Sequence, residues 1–167
     1  FYLRDWHTRK YVASETFARS GEPGESLAAG DALDLTGDYA GMHSLHVAAA
    51  LGSESCLEVL VKSYPANCNI DIKDRKWKRT AVLFAAGAGS LPSVKILVAA
   101  GASLGSSDRS SENVLHKAAR ADSLDLVQWL CQVSSRHGIK VNLRSKKLNT
   151  PLLLSRSRQV AQVLIAA

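Results

Sequence analysis

The heptapeptide TAVLFAA occupies residues 80–86, and altered copies of it recur along the chain. The other copies are HSLHVAA at 43–49, NVLHKAA at 113–119 and TPLLLSR at 150–156. Successive copies start 37, 33 and 37 residues apart, from 43 to 80, from 80 to 113 and from 113 to 150. A period of this size is typical of repeat proteins, in which each unit supplies one supersecondary element to a stacked array.

A second apolar segment follows each heptapeptide, so each unit is predicted to contain two short helices. The four segments are Cys56–Val61, Val94–Val98, Leu126–Cys131 and Val160–Ile165. Gly52 and Gly89 fall between the two helices, where a left-handed backbone is accessible to glycine. The paired alanines, such as Ala85 and Ala86, predict a close seam between neighbouring units, which a larger side chain would overpack. A single unit cannot bury its apolar face, so several must stack into a solenoid.

A threonine followed by proline is expected to open a helix, as at Thr150-Pro151. The hydroxyl of Thr150 can accept a hydrogen bond from a free backbone amide. Pro151 suits the first helical position because proline has no amide to satisfy. We therefore expect a side-chain cap at Thr150.

These residues resemble the ankyrin repeat, whose hallmark is Thr-Pro-Leu-His-x-Ala-Ala, then a glycine, a leucine-rich second helix and a closing turn. The best match in the second unit comprises Thr80, Ala85–Ala86, Gly89, Ile96–Val98 and Gly101–Ser103. The turns at 38–41 and 108–111 are similar to the family's Asp-x-x-Gly hairpin. The resemblance covers residues 26–167. It implies an all-α repeat solenoid of stacked helix-turn-helix units joined by hairpin loops, with partners bound by the hairpins and the concave face.

The chain divides into two regions at residue 37. Residues 1–37 are predicted to form an N-terminal helical cap, with one helix over Arg4–Arg19 and a degenerate repeat ending at Ser26–Asp34. An organelle transit peptide is the rival interpretation, which Asp5 and Glu15 disfavour. Residues 38–167 are predicted to hold three full ankyrin-like units and a partial fourth, which is about three residues short between its helices. We expect the array to continue after residue 167.

Three departures from the repeat pattern affect loops and turns. The segments Lys62–Asp71 and Ser134–Lys140 exceed the usual spacing and are expected to be long loops. Asp122 stands where the pattern has the glycine between the helices.

The composition describes a globular domain. The chain has 167 residues, 46% of them hydrophobic and 22% charged, and no apolar run approaches the roughly 18 residues that a membrane span needs. We therefore expect no membrane insertion. Cys56, Cys68 and Cys131 show no metal-binding spacing and are odd in number, which favours an intracellular, reducing compartment over a disulfide framework.

No sequence motif nominates a catalytic residue, a metal site or a cofactor. GxGxxG, Walker-type, HExxH and GxSxG patterns are all missing. His43 and His46 have the spacing of two metal ligands on one helix, but no third ligand follows at a fixed distance. The resemblance instead implies a structural role for His46 and His116, as hydrogen-bonding links between adjacent hairpins. We predict that the protein is not an enzyme and takes no cofactor or small-molecule substrate.

The positive charge is concentrated in two segments. The net charge is +6, whereas residues 73–79 and 140–147 together carry +8, so the rest of the chain sums to −2. Both segments join one unit to the next, where the resemblance places projecting hairpins. The predicted partner-binding residues are Arg75, Lys76, Trp77, Lys78, Arg79, Arg144, Lys146 and Lys147.

Trp77 strengthens this prediction because tryptophan and arginine are enriched at interface hot spots. The alternative is that Trp77 packs on its own hairpin while its neighbours keep an exposed turn solvated. The hairpin between the two basic ones, Asp108–Asn113, is nearly neutral and is expected to leave a polar gap between them.

Three functions fit these features. The first is a protein–protein interaction scaffold that recognises an acidic partner surface. The second is an accessory subunit of a large, possibly organellar, ribonucleoprotein, in which the cations contact RNA phosphate and Trp77 stacks on a base. The third is a regulatory domain of a larger enzyme or channel.

Overall fold

A computed structural model describes residues 2–3, 11–12, 42–63 and 69–167. It contains two short strands and four helix pairs. The elements are β1 (Tyr2–Leu3), β2 (Tyr11–Val12), α1 (Ser44–Leu51), α2 (Glu54–Ser63), α3 (Ala81–Gly87), α4 (Leu91–Ala99), α5 (Val114–Ala121), α6 (Leu124–His137), α7 (Pro151–Leu154) and α8 (Arg158–Ala166).

The helix pairs stack in chain order. The first helix of each pair packs on the first helix of the next, from α1 through α3 and α5 to α7, while α2 contacts α4 and α6 contacts α8. The paired alanines of α1, α3 and α5 are all buried at these contacts. Leucines of the repeated heptapeptide, such as Leu45, Leu83 and Leu115, fill the space between the two helices of each pair. The predicted all-α repeat solenoid is confirmed.

Left-handed residues end the first helices. Gly52 (φ 63°) is the C-cap of α1, and Gly89 (φ 74°) lies between α3 and α4. A β-carbon on Gly89 would be in ordinary contact with that of Ser123 in the next unit, at 3.4 Å, so it is the positive φ that favours glycine there. Asp122 (φ 57°) adopts the same conformation in the third unit, and its Oδ1 accepts a hydrogen bond from the amide of Ser157 (3.0 Å).

The predicted hydroxyl cap is wrong at Thr150, which accepts no capping hydrogen bond, and Thr80 accepts none either. The Thr80 Oγ1 atom is buried with no hydrogen-bond partner among the described residues. Histidine closes two of the helix starts instead. Nδ1 of His46 accepts from the amide of His43 (3.0 Å), and Nδ1 of His116 accepts from the amide of Asn113 (3.2 Å).

The predicted loop at Ser134–Lys140 is wrong over most of its length, because α6 continues to His137. The extra residues lengthen the second helix by about one turn, and Gly138 ends it with φ 64°. In the fourth unit the missing residues shorten α7 to four residues.

At the N-terminus, β1 pairs antiparallel with β2, with Tyr2 opposite Val12. The single helix predicted over Arg4–Arg19 is therefore wrong at Tyr11–Val12. The remainder of the predicted cap, the boundary at residue 37, the hairpin at 38–41 and Cys68 all lie outside the described residues. Within the described ranges, no helix is long and apolar enough to cross a membrane.

Candidate partner-binding surface

Three hairpin tips project between successive units. We call them hairpin A (residues 74–79), hairpin B (108–112) and hairpin C (145–149). In each, the first residue donates its amide to the carbonyl of the last, from Asp74 to Arg79 (3.0 Å), from Asp108 to Glu112 (3.0 Å) and from Ser145 to Asn149 (2.9 Å). The next-to-last residue of each tip, Lys78, Ser111 or Leu148, has φ between 55° and 60°. Hairpins B and C therefore share one turn, closed by an amide three residues after the first, whereas in hairpin A, which is one residue longer, the amide of Lys78 donates to the carbonyl of Asp74 four residues before it.

Neighbouring tips are joined by backbone hydrogen bonds. The amide of Arg109 donates to the carbonyl of Trp77 (2.8 Å), and the amide of Lys146 donates to the carbonyl of Ser110 (2.9 Å). Hairpin B thus lies directly between hairpins A and C. Trp77 and Arg144 are 67 residues apart in the chain. The predicted partner-binding residues nevertheless belong to one continuous edge of the array.

Most of the predicted residues of hairpin A face solvent. Arg75, Lys76 and Lys78 are exposed, and Trp77 is 43% exposed. The single acid of this tip, Asp74, is buried, and its carboxylate accepts hydrogen bonds from the amides of Trp77 (2.8 Å) and Arg79. The outer surface of hairpin A is therefore cationic.

Trp77 contacts its own hairpin and is still accessible. Its ring centre lies 5.5 Å from Nζ of Lys76 and 5.2 Å from Cζ of Arg79, within range of cation–π attraction. The ring therefore packs against cations of its own hairpin, as the alternative interpretation expected, while Trp77 as a residue is 43% exposed.

Arg79 differs from the other cations. Its side chain is only 28% exposed and lies between the rings of Trp77 and Phe84, 5.7 Å from the latter. Its Nε is 3.6 Å from Oδ2 of Asp108. The alternative in which the neighbours of Trp77 only keep an exposed turn solvated therefore does not hold for Arg79.

Hairpin C carries the second group of predicted residues. Arg144, Lys146 and Lys147 are all exposed. Next to them, Leu148 is 70% exposed and has φ 60°, a conformation that costs a leucine about 1 kcal/mol or more. An exposed apolar side chain thus stands beside the cations of hairpin C, as Trp77 does in hairpin A.

Hairpin B covers an ion cluster, formed by the buried Asp108, Glu112 and Lys117 and by Arg120, whose side chain is 42% exposed. Nζ of Lys117, which is 5% exposed, lies 2.7 Å from Oδ2 of Asp108 and 2.6 Å from Oε2 of Glu112. Arg120 binds both carboxylate oxygens of Glu112, at 2.9 and 2.6 Å. The two anions are therefore balanced by two cations of α5, a geometry that buried ions require.

The cluster shifts the pKa values of its members. Burial favours the neutral acid at Glu112, but the hydrogen bonds from Arg120 and Lys117 outweigh it and hold the pKa at about 2. The pKa of Asp108 is also lowered, because its bonds to Lys117 and to the amides of Glu112 and Ser110 exceed the opposing effect of burial. The hydrogen bond to Glu112 raises the pKa of Arg120. Asp108, Glu112 and Arg120 are therefore charged at neutral pH.

The expected polar gap between the basic hairpins is therefore wrong. The acids of hairpin B are buried beneath the tip, whereas Arg109 is exposed between Trp77 and Lys146. The solvent-facing side of hairpin B is cationic like its neighbours. The formal charges of residues 108–113 do not reveal this surface, because they do not indicate which side chains turn inward.

The histidines have structural partners. Nε2 of His46 lies 2.9 Å from the carbonyl of Ile72, and Nε2 of His116 lies 3.0 Å from that of Asn149. Burial is the main reason that the pKa of each is lowered, so both are neutral at pH 7. Each histidine links a first helix to the segment before the next unit. Among the described residues no group of three potential ligands could hold a metal ion.

The chain is similar to known proteins in both sequence and fold. A family model for ankyrin repeats, in three copies, matches residues 45–145 and 82–166. The mouse B-cell lymphoma 3 protein homolog is 32% identical over 127 residues, which is 76% of this chain and 27% of that protein. Mouse ankyrin repeat and SOCS box protein 14 is 35% identical over 107 residues, covering 61% of this chain and 17% of that protein.

A solved structure shares the fold. The crystal structure of the ankyrin repeat domain of Bcl-3, described as a unique member of the IkappaB protein family, aligns with a TM-score of 0.61 and 30% identity. The alignment covers 75% of this chain and 52% of the Bcl-3 domain. The chain thus spans about a quarter or less of the curated relatives and about half of the solved domain.

Proposed function

Because the chain belongs to the ankyrin-repeat family, we propose that hairpins A, B and C form the site at which it binds an acidic surface of another protein. Ankyrin arrays are generally non-catalytic modules for protein–protein interaction, and the family membership supports an interaction scaffold here.

The observation that supports it best is the separation of charges across the tips. Asp74, Asp108 and Glu112 are buried under the turns, while cations from all three hairpins are exposed. The exposed cations are Arg75, Lys76, Lys78, Arg109, Arg144, Lys146 and Lys147. A surface that presents one sign of charge attracts a partner of opposite sign and speeds their association.

Two exposed apolar side chains give this surface a means of holding a partner as well as attracting it. Trp77 in hairpin A and Leu148 in hairpin C lie on either side of Arg109. Interfaces commonly combine such apolar anchors with a polar rim. The favoured ligand is therefore an acidic segment that also carries apolar side chains.

RNA is the second candidate, favoured by the position of Trp77 among cations. Single-stranded RNA binds such surfaces through phosphate contacts and base stacking. A regulatory role within a larger enzyme or channel is compatible with the small share of each curated relative that this chain covers. We place the protein in a reducing intracellular compartment, which the free thiols of Cys56 and Cys131 support.

The experiment compares two triple variants of equal charge. The tip variant carries Arg75→Gln, Lys76→Gln and Lys78→Gln, and the control carries Lys95→Gln, Arg136→Gln and Arg158→Gln on exposed positions of the second helices. Each is immobilised and exposed to cell lysate with and without nuclease, and each is titrated with a polyglutamate peptide and with polyuridine RNA at two salt concentrations.

We expect the parent and the control to retain nuclease-resistant protein partners and polyglutamate, and the tip variant to lose both. Equal binding by the tip variant and the control would refute the hairpin site. Partners that disappear after nuclease treatment, together with steep salt dependence of RNA binding, would assign the surface to RNA instead.

A further inference from the structure

The charges beneath hairpin B balance without Arg79. Asp108 and Glu112 supply two negative charges, and Lys117 and Arg120 supply two positive ones, all within hydrogen-bonded distance. The carboxylate of Asp108 also accepts hydrogen bonds from the amides of Ser110 (2.8 Å) and Glu112 (3.0 Å). Arg79, at the edge of this cluster, is therefore a surplus cation.

The guanidinium of Arg79 has unused donors. It makes no hydrogen bond to any described residue, and its Nε is buried without a partner. The nearest carboxylate oxygen, Oδ2 of Asp108, lies 3.6 Å from Nε and is already occupied by Lys117 at 2.7 Å. An arginine whose donors are unsatisfied and partly desolvated binds an added anion more strongly than a solvated one does.

The surroundings hold Arg79 in place for such an anion. Its backbone is fixed at both polar atoms by Asp74, whose carboxylate accepts from the Arg79 amide and whose own amide donates to the Arg79 carbonyl. The side chain lies against Trp77 and Phe84, with ring centres 5.2 and 5.7 Å from Cζ. A guanidinium held between aromatic rings loses little conformational freedom when it binds.

We propose that Arg79, flanked by Trp77 and Phe84, is an anchoring subsite that takes one anionic side chain of the partner, a carboxylate or a phosphate monoester, as a paired ligand of its guanidinium. This inference rests on the proposed acidic partner and adds which residue selects it. The exposed cations of the tips attract the partner, whereas Arg79 sets its register through a directional contact.

The test uses four forms of the chain and two peptides. Arg79→Lys keeps the charge but removes the planar donor pair, Arg79→Gln removes both, and Lys78→Gln makes the same charge change at the adjacent exposed position. The probes are a polyglutamate peptide and a phosphoserine peptide of equal net charge, titrated into each form by calorimetry. A thermal melt of each variant checks folding, because Arg79 also lies near Asp108.

For at least one peptide, we expect Arg79→Gln and Arg79→Lys each to weaken binding about tenfold, while Lys78→Gln weakens it about two- to threefold. If the affinity of both peptides depends on Arg79, the subsite takes either anion. If only the affinity of the phosphoserine peptide depends on Arg79, the subsite takes phosphate. The subsite is refuted if Arg79→Lys binds both peptides like the parent, or if Arg79→Gln loses no more than Lys78→Gln.

The outcomes also separate this inference from the proposed function. If the tip variant of hairpin A loses polyglutamate while Arg79→Gln retains it, the acidic-partner site stands and the anchor does not. If the parent binds neither peptide at low salt, both fail.

Discussion

Hairpins A and B have related turns but opposite formal charge. Hairpin A contains four cations and one acid, whereas hairpin B contains two acids and one arginine. In hairpin A the acid Asp74 closes its own turn through backbone amides. In hairpin B the acids reach down to Lys117 and Arg120 on α5. The charged side chains that the two tips expose to solvent are nevertheless all cations.

The difference shows that the charge of a loop and the charge of its surface are separate quantities. Acids in a tight turn pair with backbone amides and with cations beneath the turn, because unpaired donors and buried charges are costly. A partner therefore meets only the side chains that are not paired in this way. The same tip can therefore be a stability element on its inner side and a recognition element on its outer side.

The largest expected effect on stability comes from removing a cation of the ion cluster beneath hairpin B. Lys117→Met leaves Asp108 and Glu112 short of a buried counter-charge, and we expect it to lower the free energy of unfolding by about 3–5 kcal/mol. Urea denaturation measures the change. Lys78→Met on the outer side of hairpin A is the matched control and should change stability by less than about 0.5 kcal/mol. Comparable losses in the two variants would mean that the cluster does not support the fold.

The next largest effect is expected in the stacking seam between units. Ala85→Leu in α3 and Ala118→Leu in α5 should each destabilise the protein by about 1–3 kcal/mol, because both alanines lie fully buried in the stacking seam. The exposed Ala99→Leu in α4 serves as control. A parent-like melting temperature for either seam variant would show that the repeat register is wrong at that unit.

Acid should weaken the inner side of the hairpins in two stages. The pKa values of His46 and His116 are lowered in the fold, so stability is lost as pH falls below the ordinary value of 6.5. The pKa of Glu112 is about 2 instead of 4.5, so a second loss follows between pH 4.5 and 2. Urea midpoints measured across this range give the profile. In Glu112→Gln the second loss should shrink, and an unchanged profile would exclude Glu112 as its source.

The sequence was sufficient for the elements that local rules control. The heptapeptide period, the paired alanines and Gly52 and Gly89 predicted the helix pairs and their seam, because the same small residues recur at the same contacts. It was insufficient where partners are distant along the chain. Thr80 precedes α3 without capping it. In α1 and α5 a histidine at the third helical position closes the first turn, whereas α3 has Leu83 at that position.

The candidate site shows the same limit. Arg75, Lys76 and Lys78 could be assigned to the surface from their position in a turn. Arg79 and Arg109 could not, because the partial burial of one and the exposure of the other depend on contacts between successive hairpins. A usable signal for the buried cluster did exist, since Glu112 is followed by Lys117 and Arg120, three residues apart on one helix face.

The smallest effect is expected on the outer side of hairpin A. Arg75→Gln, Lys76→Gln and Lys78→Gln together should change the free energy of unfolding by less than about 1 kcal/mol, because exposed charges contribute little to stability. Thermal melts of this variant and of the second-helix control should coincide within error. A clear loss in the tip variant alone would show that these cations support the turn and would weaken their assignment to binding.

The central claim is that the three hairpins form a single basic surface. Its most direct test is to titrate polyglutamate into three single variants, one from each hairpin: Lys78→Gln, Arg109→Gln and Lys147→Gln. We predict that each lowers the affinity by about two- to threefold and that all three effects fade together as salt is raised. An affinity of Arg109→Gln equal to that of the parent, with losses in the other two, would contradict the account, because hairpins A and C would then act as separate sites.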